Sequence, residues 1–184
     1  NYNVTIKTAE FEITKAALTV TADANQTKVY GADEPTLTYT VTGYANDDSE
    51  EDIDVLSISR AAGETVGDYT ITPVASDANY TVTIKTAAFE ITKAALTVTA
   101  DANQTKVYGA DEPTLSYTVT GYANGDLEED IDELSIARAA GETVGAYTIT
   151  PVASDANYTV TIKTTEFEIS KAALTVTADA NQTK

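Results

Sequence analysis

Carboxylates are the side chains of this sequence with the most scope for chemistry, because its 184 residues include no His and no Cys. The usual general bases, activated nucleophiles and transition-metal ligands are therefore missing. Two acidic runs could in principle supply the carboxylate pair of a glycosidase. They contain Glu50, Glu51, Asp52 and Asp54, and then Glu128, Glu129, Asp130, Asp132 and Glu133. Near-identical tandem copies rarely each carry an active site, so we interpret the runs as solvated faces and expect no enzyme.

Calcium fits the same regions better than catalysis does, because hard cations bind several carboxylate and carbonyl oxygens from one loop. The candidate ligands are Asp47, Asp48, Asp52, Asp126 and Asp130, with Asn46 and Asn124 beside them. Their spacing matches no EF-hand loop. We favour a solvated acidic turn over a calcium site, and the sequence predicts no cofactor.

Tyrosines form a third set of candidates, because exposed aromatic rings could bind a sugar. Five of them recur in every repeat, and in the first repeat they are Tyr30, Tyr39, Tyr44, Tyr69 and Tyr80. Tyrosines of small β modules more often fill the core and keep the hydroxyl at its rim. We favour this structural interpretation.

All of these side chains belong to a repeat of 78 residues. Its period is the spacing of the Asn-Tyr pairs that begin at Asn1, Asn79 and Asn157. Residues 1–78 differ from residues 79–156 at eight positions, most of which we expect on the surface. The differences are Asn3/Thr81, Glu10/Ala88, Thr38/Ser116, Asp47/Gly125, Ser49/Leu127, Val55/Glu133, Ser59/Ala137 and Asp68/Ala146. Such a period is typical of a tandem array.

One stretch occurs three times, at residues 11–28, 89–106 and 167–184, and changes only at Ser170. Its halves alternate apolar and polar residues like strands, and no Gly or Pro interrupts them. We interpret it as a joint between modules at 16–93 and 94–171. Residues 1–15 are then the C-terminal strands of a preceding repeat, and residues 172–184 the N-terminal strand of a following one. The modules are expected to join end to end as a stiff rod.

Each module is predicted to be mostly β, with five or six strands and one short helical turn that Ser49 caps. Residues 36–42 give the strongest strand pattern, whereas residues 23–28 read as a polar connection. Gly31 is expected at a position with positive φ. The order of strands, short helix and strands favours a β-grasp-like module, and an immunoglobulin-like β-sandwich is the alternative.

Charge excludes several partners, because the chain carries a net charge of −18. Each module has 13 acidic and 4 basic residues, and both flanks are neutral. Such a field repels nucleic acid phosphates and anionic lipids. No apolar run approaches the ~20 residues of a membrane helix. We therefore expect no nucleic acid and no membrane insertion, and the predicted partners are neighbouring repeats of the same chain.

The combined motifs of each repeat resemble the MBG repeats of large bacterial surface proteins, of the type marked by a Tyr-Gly pair. Here that pair is Tyr30-Gly31 and Tyr108-Gly109, followed by Asp-Glu-Pro-Thr-Leu, Val-Thr-Gly-Tyr-Ala-Asn and Arg-Ala-Ala-Gly-Glu-Thr-Val-Gly. The resemblance implies extracellular stalk repeats of a bacterial cell-surface adhesin that project a distal binding domain. The alternative is that the repeats themselves bind a surface glycan or protein.

Overall fold

Seven strands make up the first repeat of the computed structural model, which describes residues 1–180 and residue 184. They are β1 (Ala16–Ala22), β2 (Gln26–Val29), β3 (Tyr39–Thr42), β4 (Val55–Arg60), β5 (Gly67–Ser76), β6 (Tyr80–Lys85) and β7 (Ala87–Thr92). The second repeat follows with β8 (Ala94–Ala100), β9 (Thr105–Val107), β10 (Tyr117–Thr120), β11 (Glu133–Arg138), β12 (Gly145–Ser154), β13 (Tyr158–Lys163) and β14 (Thr165–Ser170). One 3₁₀ turn precedes β4 (Glu50–Asp52) and another precedes β11 (Glu128–Asp130).

The strands of each repeat form two sheets. In the first repeat their orders are β3-β1-β6 and β2-β7-β5-β4, and the second repeat has the corresponding orders β10-β8-β13 and β9-β14-β12-β11. Within the three-stranded sheets, β1 is antiparallel to β3 and parallel to β6, as β8 is to β10 and β13. The prediction of a mostly β chain of tandem modules is confirmed. The β-grasp-like arrangement and its sandwich alternative stay predictions.

Alternation of apolar and polar residues explains the core, because successive side chains of a strand point to opposite faces. Leu18 and Val20 of β1 are fully buried and pack with Ile53 and Tyr80, and the corresponding residues of the second repeat are equally buried. Phe89 of β7 is also fully buried. Each such side chain contributes roughly 1.5–3 kcal/mol of hydrophobic stabilisation.

Two compact units divide the chain. The first contains Asn1–Lys28 and Asp33–Ile91, and the second contains Val29–Ala32 and Thr92–Lys184. The second unit thus includes a four-residue segment that belongs, by sequence, to the first repeat. That segment carries the Tyr30-Gly31 pair.

The polar connection predicted at residues 23–28 is wrong, since Gln26–Val29 form β2. Residues 16–92, all of which are described, therefore contain seven strands and not five or six. The residue of β2 that points into the core is Lys28, and only 8% of its surface is exposed. A lysine on the inward face hides the apolar alternation on which strand prediction depends.

Residues 1–15 and 172–180 form no strand, and residues 181–183 lie outside the described part of the chain, so the assignment of the flanks to a preceding and a following repeat stays a prediction. Phe11 and Ile13 are 89% and 86% exposed, although the equivalent Phe89 and Ile91 are buried. Phe89 and Ile91 lie on β7, which pairs with β5, whereas Phe11 and Ile13 lie in no strand of the described residues. A strand without neighbours leaves its backbone groups to water and gains nothing from pairing.

The joint between the repeats consists of β7 and β8, and Lys93 alone lies between them. The strand predicted at residues 36–42 is shorter in the structure, where β3 begins at Tyr39. Its alternation is confirmed, because Leu37, Tyr39 and Val41 are half-buried while the intervening threonines are exposed.

The helical turn exists in both repeats, and Ser49 is the N-cap residue of the first one, as predicted. The Asp52 carboxylate accepts hydrogen bonds from the Ser49 backbone N–H at 2.8 Å and from its hydroxyl at 2.9 Å. Asp130 accepts the same backbone bond from Leu127 at 2.8 Å. The aspartate three residues on supplies the accepting side chain of this cap in both repeats, which explains why Leu127 can replace Ser49.

No helix among the described residues has the length and apolar character needed to cross a lipid bilayer.

Candidate functional site

The five predicted calcium ligands do not converge. Asp52 and Asp130 cap their 3₁₀ turns, while Asp48 and Asp126 each accept a hydrogen bond from a tyrosine hydroxyl at 2.7 Å. Asp47 is exposed in the left-handed region at φ +60°, where the second repeat has Gly125. Within residues 1–180 and residue 184, no three acidic side chains form a group suited to a metal ion. The calcium site stays a prediction, and the carboxylates instead serve turns and tyrosines.

The candidate glycosidase carboxylates serve structural contacts in the same way. Glu50 accepts a hydrogen bond from the Tyr39 hydroxyl, and Glu128 accepts one from Tyr117. These bonds to a carboxylate raise the pKa of both tyrosines to about 12. Asp54 accepts from the Ala78 backbone N–H at 3.3 Å. The acidic runs thus hold the turn before β4 and its equivalent before β11.

A buried tyrosine organises the most distinctive site of the second unit. The Tyr158 side chain, 2% exposed, donates its hydroxyl to Asp126 Oδ2 at 2.7 Å. The same hydroxyl accepts a hydrogen bond from the Ala123 backbone N–H at 2.8 Å. We call Ala123, Asn124, Asp126 and Tyr158 the receiving site. Burial is the main cause that raises the pKa of Tyr158, to about 12, so the hydroxyl stays protonated and can donate.

Residues 29–32, which we call the tyrosine turn, lie on this receiving site. The Tyr30 ring meets the Tyr158 ring edge to face, with centroids 5.5 Å apart and planes at 80°. Its hydroxyl donates to Asp126 Oδ2 at 3.0 Å and accepts from the Asn124 side-chain amide at 3.1 Å. Tyr30 is left only 5% exposed. One carboxylate therefore accepts from two tyrosines, and burial raises the pKa of Tyr30 as well.

Glycine is required next to Tyr30 because the turn approaches the receiving site backbone to backbone. Gly31 has φ +74°, which confirms the predicted positive φ. A Cβ at this position would lie 2.4 Å from the Asn124 backbone nitrogen and 2.8 Å from the Ala123 Cβ. Any larger residue would push the turn away, so the Tyr-Gly pair acts as one recognition element.

The first unit contains an equivalent receiving site formed by Ala45, Asn46, Asp48 and Tyr80. The Tyr80 hydroxyl donates to Asp48 Oδ2 at 2.7 Å and accepts from the Ala45 backbone N–H at 2.8 Å. The two receiving sites therefore share the same hydrogen bonds, residue for residue.

The structural interpretation of the tyrosines agrees with their positions. Tyr30 and Tyr80 are buried with their hydroxyls hydrogen-bonded, whereas Tyr39, Tyr44 and Tyr69 are half-buried. That Tyr30 packs in the second unit was not predicted from the sequence. The Tyr-Gly pair itself was the available signal, since a glycine that follows a tyrosine in both repeats suits a close backbone approach.

A cluster of four charged side chains was also missed. In the first unit, Lys28 Nζ lies 2.5 Å from Glu64 and 3.0 Å from Glu34, and Arg60 bonds both glutamates. The Arg60 guanidinium lies over the rings of Tyr69 and Phe89, with its carbon 5.3 and 5.2 Å from their centroids. The second unit repeats the cluster with Lys106, Glu112, Arg138 and Glu142.

The sequence was compared with known protein families, and the family that matches is named for the Tyr-Gly pair of the tyrosine turn. The sequence profile of the MBG domain (YGX type) matches residues 18–90 and residues 96–168, well over half of the chain. No curated protein matches the chain. The chain therefore belongs to the MBG domain family of the YGX type, of which it carries two tandem copies.

Proposed function

We propose that these MBG repeats are structural spacers of a bacterial cell-surface adhesin, where they project a distal binding domain from the surface. The observation that carries the proposal is the position of the differences between the repeats. All eight differing pairs are exposed, scattered over turns and strands. A surface selected to bind a variable ligand would concentrate its changes on one face, whereas a spacer conserves its core.

The acidic charge and the family support the same role. MBG repeats of this type occur in tandem here, and each predicted module carries 13 acidic and 4 basic residues. A strong negative charge favours solubility outside the cell and opposes adhesion to anionic lipids. The extracellular location is part of the proposal and follows from the surface-protein resemblance.

Small-angle scattering tests the spacer role, because a spacer must be extended and stiff at its joint. We expect the scattering of a rod, with a maximum dimension well above that of a globular protein of 184 residues. The double substitution Ala94→Gly, Ala95→Gly should broaden the distribution of dimensions, since glycine frees the backbone at the start of β8. The same change at Ala16 and Ala17 is the matched control, because it weakens a strand start outside the joint.

A compact scattering profile, or equal profiles for both glycine variants, would contradict the spacer role. A glycan array separates the spacer from the adhesion alternative. Saturable binding of one glycan class by the wild-type chain would favour adhesion by the repeats themselves.

A further inference from the structure

Only one asparagine of the sequence is followed by glycine, and it lies in the receiving site of the second unit. It is Asn124, whereas the corresponding residue of the first repeat, Asn46, is followed by Asp47. An Asn-Gly pair deamidates more readily than other asparagine pairs, because glycine has no side chain to shield its backbone nitrogen. The difference Asp47/Gly125 therefore changes the chemistry that is available to the two repeats.

Deamidation at this position needs water and no other reactant. The Gly125 backbone nitrogen attacks the side-chain carbonyl carbon, Cγ, of Asn124. A bond from that nitrogen to Cγ forms, the bond from Cγ to Nδ2 breaks, and the proton of the attacking nitrogen leaves with the amide as ammonia. Water then opens the cyclic imide at either carbonyl carbon, which gives aspartate, or isoaspartate with the main chain running through Cγ. Both residues are exposed, so water reaches them.

The folded turn holds Asn124 away from the geometry of this reaction. Asn124 and Gly125 have φ +55° and +81°, and the Asp126 N–H closes the turn by donating to the Ala123 carbonyl at 2.9 Å. In the left-handed region ψ is about +30 to +60°. The Gly125 nitrogen then lies roughly opposite the Asn124 Cβ about the Cα–C bond, whereas closing the imide ring needs both on the same side. Deamidation therefore requires the turn to open locally.

The tyrosine turn opposes that opening. The Tyr30 hydroxyl accepts a hydrogen bond from the Asn124 side-chain amide at 3.1 Å. Gly31 packs so closely on the same residue that a Cβ there would lie 2.4 Å from the Asn124 backbone nitrogen. A seated tyrosine turn thus holds both the amide that must leave and the backbone that must rotate.

The products lack what the tyrosine turn binds. An ionised carboxylate has no hydrogen-bond donor, and the Tyr30 hydroxyl already donates its own proton to Asp126 Oδ2 at 3.0 Å. The new charge would also lie beside Asp126, and like charges that share one site repel. Isoaspartate adds a carbon to the main chain where Gly31 meets the backbone. Either product therefore weakens the seating of Tyr30.

We propose that Asn124 is a site of spontaneous deamidation that the seated tyrosine turn protects, and that its conversion to aspartate or isoaspartate weakens the seating of Tyr30. Release of the turn exposes Asn124 to the reaction, and the reaction then opposes the return of the turn. The proposal is independent of the spacer role.

Peptide mapping by mass spectrometry, on chain aged in mildly alkaline buffer, tests the protection. In the folded wild-type chain, the peptide that contains Asn124 should convert slowly to aspartate and isoaspartate. Tyr30→Ala should speed this conversion several-fold, towards the rate of the wild-type chain unfolded in urea. Tyr30→Phe keeps the ring but loses the hydroxyl, and its rate should be intermediate.

Two variants serve as matched controls for these rates. Tyr108→Ala removes the tyrosine of the other Tyr-Gly pair and should keep the wild-type rate. Gly125→Asp introduces the residue of the first repeat, where Asp47 adopts φ +60°, and should suppress conversion even in urea. Circular dichroism shows whether Tyr30→Ala is folded, and Tyr30→Phe carries the comparison if it is not.

Urea unfolding tests the consequence for the tyrosine turn. Asn124→Asp supplies the aspartate product directly and should lower the unfolding midpoint of the second unit. Asn103→Asp is the matched control, because Asn103 is also exposed and has φ +63°. It adds the same charge away from Tyr30 and should change the midpoint much less.

Equal conversion rates in the wild type and both Tyr30 variants would overturn the protection, as would a folded wild type that reacts as fast as the unfolded chain. Equal midpoints for Asn124→Asp and Asn103→Asp would overturn the effect on seating. An Asn124 that stays unconverted in the urea-unfolded chain would overturn the site itself.

Discussion

In each charged cluster the fold lowers the pKa of a glutamate, Glu34 in the first unit and Glu112 in the second. Hydrogen bonds from Arg60 are the main cause that lowers the pKa of Glu34 to about 2, and Arg138 does the same for Glu112. The ordinary value lies near 4.5. A carboxyl whose pKa is lower in the folded than in the unfolded state stabilises the fold above the ordinary value.

Acid should therefore weaken the protein between about pH 4.5 and pH 2, as Glu34 and Glu112 become protonated. Both side chains are 43% exposed, so solvent screening limits the size of the effect. Glu34→Gln should make the loss of stability less steep in this range, as measured by chemical denaturation at several pH values. Glu12→Gln, in the strandless residues 1–15, should keep the wild-type steepness; equal slopes for both variants would refute the cluster's role.

The glycines of the two Tyr-Gly pairs, Gly31 and Gly109, provide a matched pair of substitutions. Gly31→Ala and Gly109→Ala share the strain of a positive φ, at +74° and +81°. Only the first places a Cβ 2.4 Å from a backbone nitrogen. Gly31→Ala should therefore cost about 1–3 kcal/mol more than Gly109→Ala, the usual range for overpacking. Urea unfolding of the two variants measures the difference, and equal costs would show that the Tyr30 turn does not bind tightly.

At the scale of elements, one cross-strand pair distinguishes the two repeats. Asp68 of β5 lies directly opposite Glu90 of β7, and both are exposed. In the second repeat the partner of Glu168 is Ala146. Like charges directly opposite each other destabilise a sheet, so the first repeat carries a repulsion that the second lacks.

Asp68→Ala should accordingly stabilise the first unit by roughly 0.2–1 kcal/mol, and Ala146→Asp should destabilise the second by a similar amount. Thermal unfolding at low salt measures both changes. The two substitutions control for each other, because one removes the charge pair and the other introduces it. Both changes in stability should become smaller in high salt, because these exposed charges are then screened. Shifts of the same sign in both variants would contradict the repulsion.

Strands with apolar inward residues were predictable from the sequence, and β2 was not. The alternation of Leu37, Tyr39 and Val41 marks β3, because it appears in the residue types themselves. Lys28 lies inward on β2, where Glu34 and Glu64, the latter 36 residues away along the chain, neutralise its charge. Such a strand is specified by the tertiary structure, which single-sequence patterns do not contain.

The candidate site was likewise predictable from the sequence only in part. The sequence indicated that tyrosine hydroxyls lie at the rim of the core, and Tyr80 and Tyr158 do. It assigned Asp48 and Asp126 to a solvated turn or to calcium, because an acidic run does not reveal which carboxylate meets a tyrosine. The seating of Tyr30 on Asn124 and Asp126 joins residues more than 90 positions apart, and nothing local encodes it.

At the scale of the whole molecule, the high negative charge raises the question of cations. Asp48, Asp52, Asp126 and Asp130 already accept hydrogen bonds from tyrosines or backbone N–H groups. Millimolar calcium should therefore leave the melting temperature nearly unchanged, as scanning calorimetry would measure. A site filled at a hundred times its dissociation constant would instead add ~2.7 kcal/mol. A large increase with calcium and none with magnesium would establish a specific site.

The parallel pairing of β1 with β6 determines how each repeat bears a pulling force. The chain enters its three-stranded sheet on β1, and it leaves the sheet along β6, which lies beside β1 with six residue pairs in register. Tension at the two ends of the repeat draws these neighbours in opposite directions along their length. Their hydrogen bonds are then sheared together and cannot be peeled apart one at a time, so the repeat resists extension far better than an edge hairpin of the same size would.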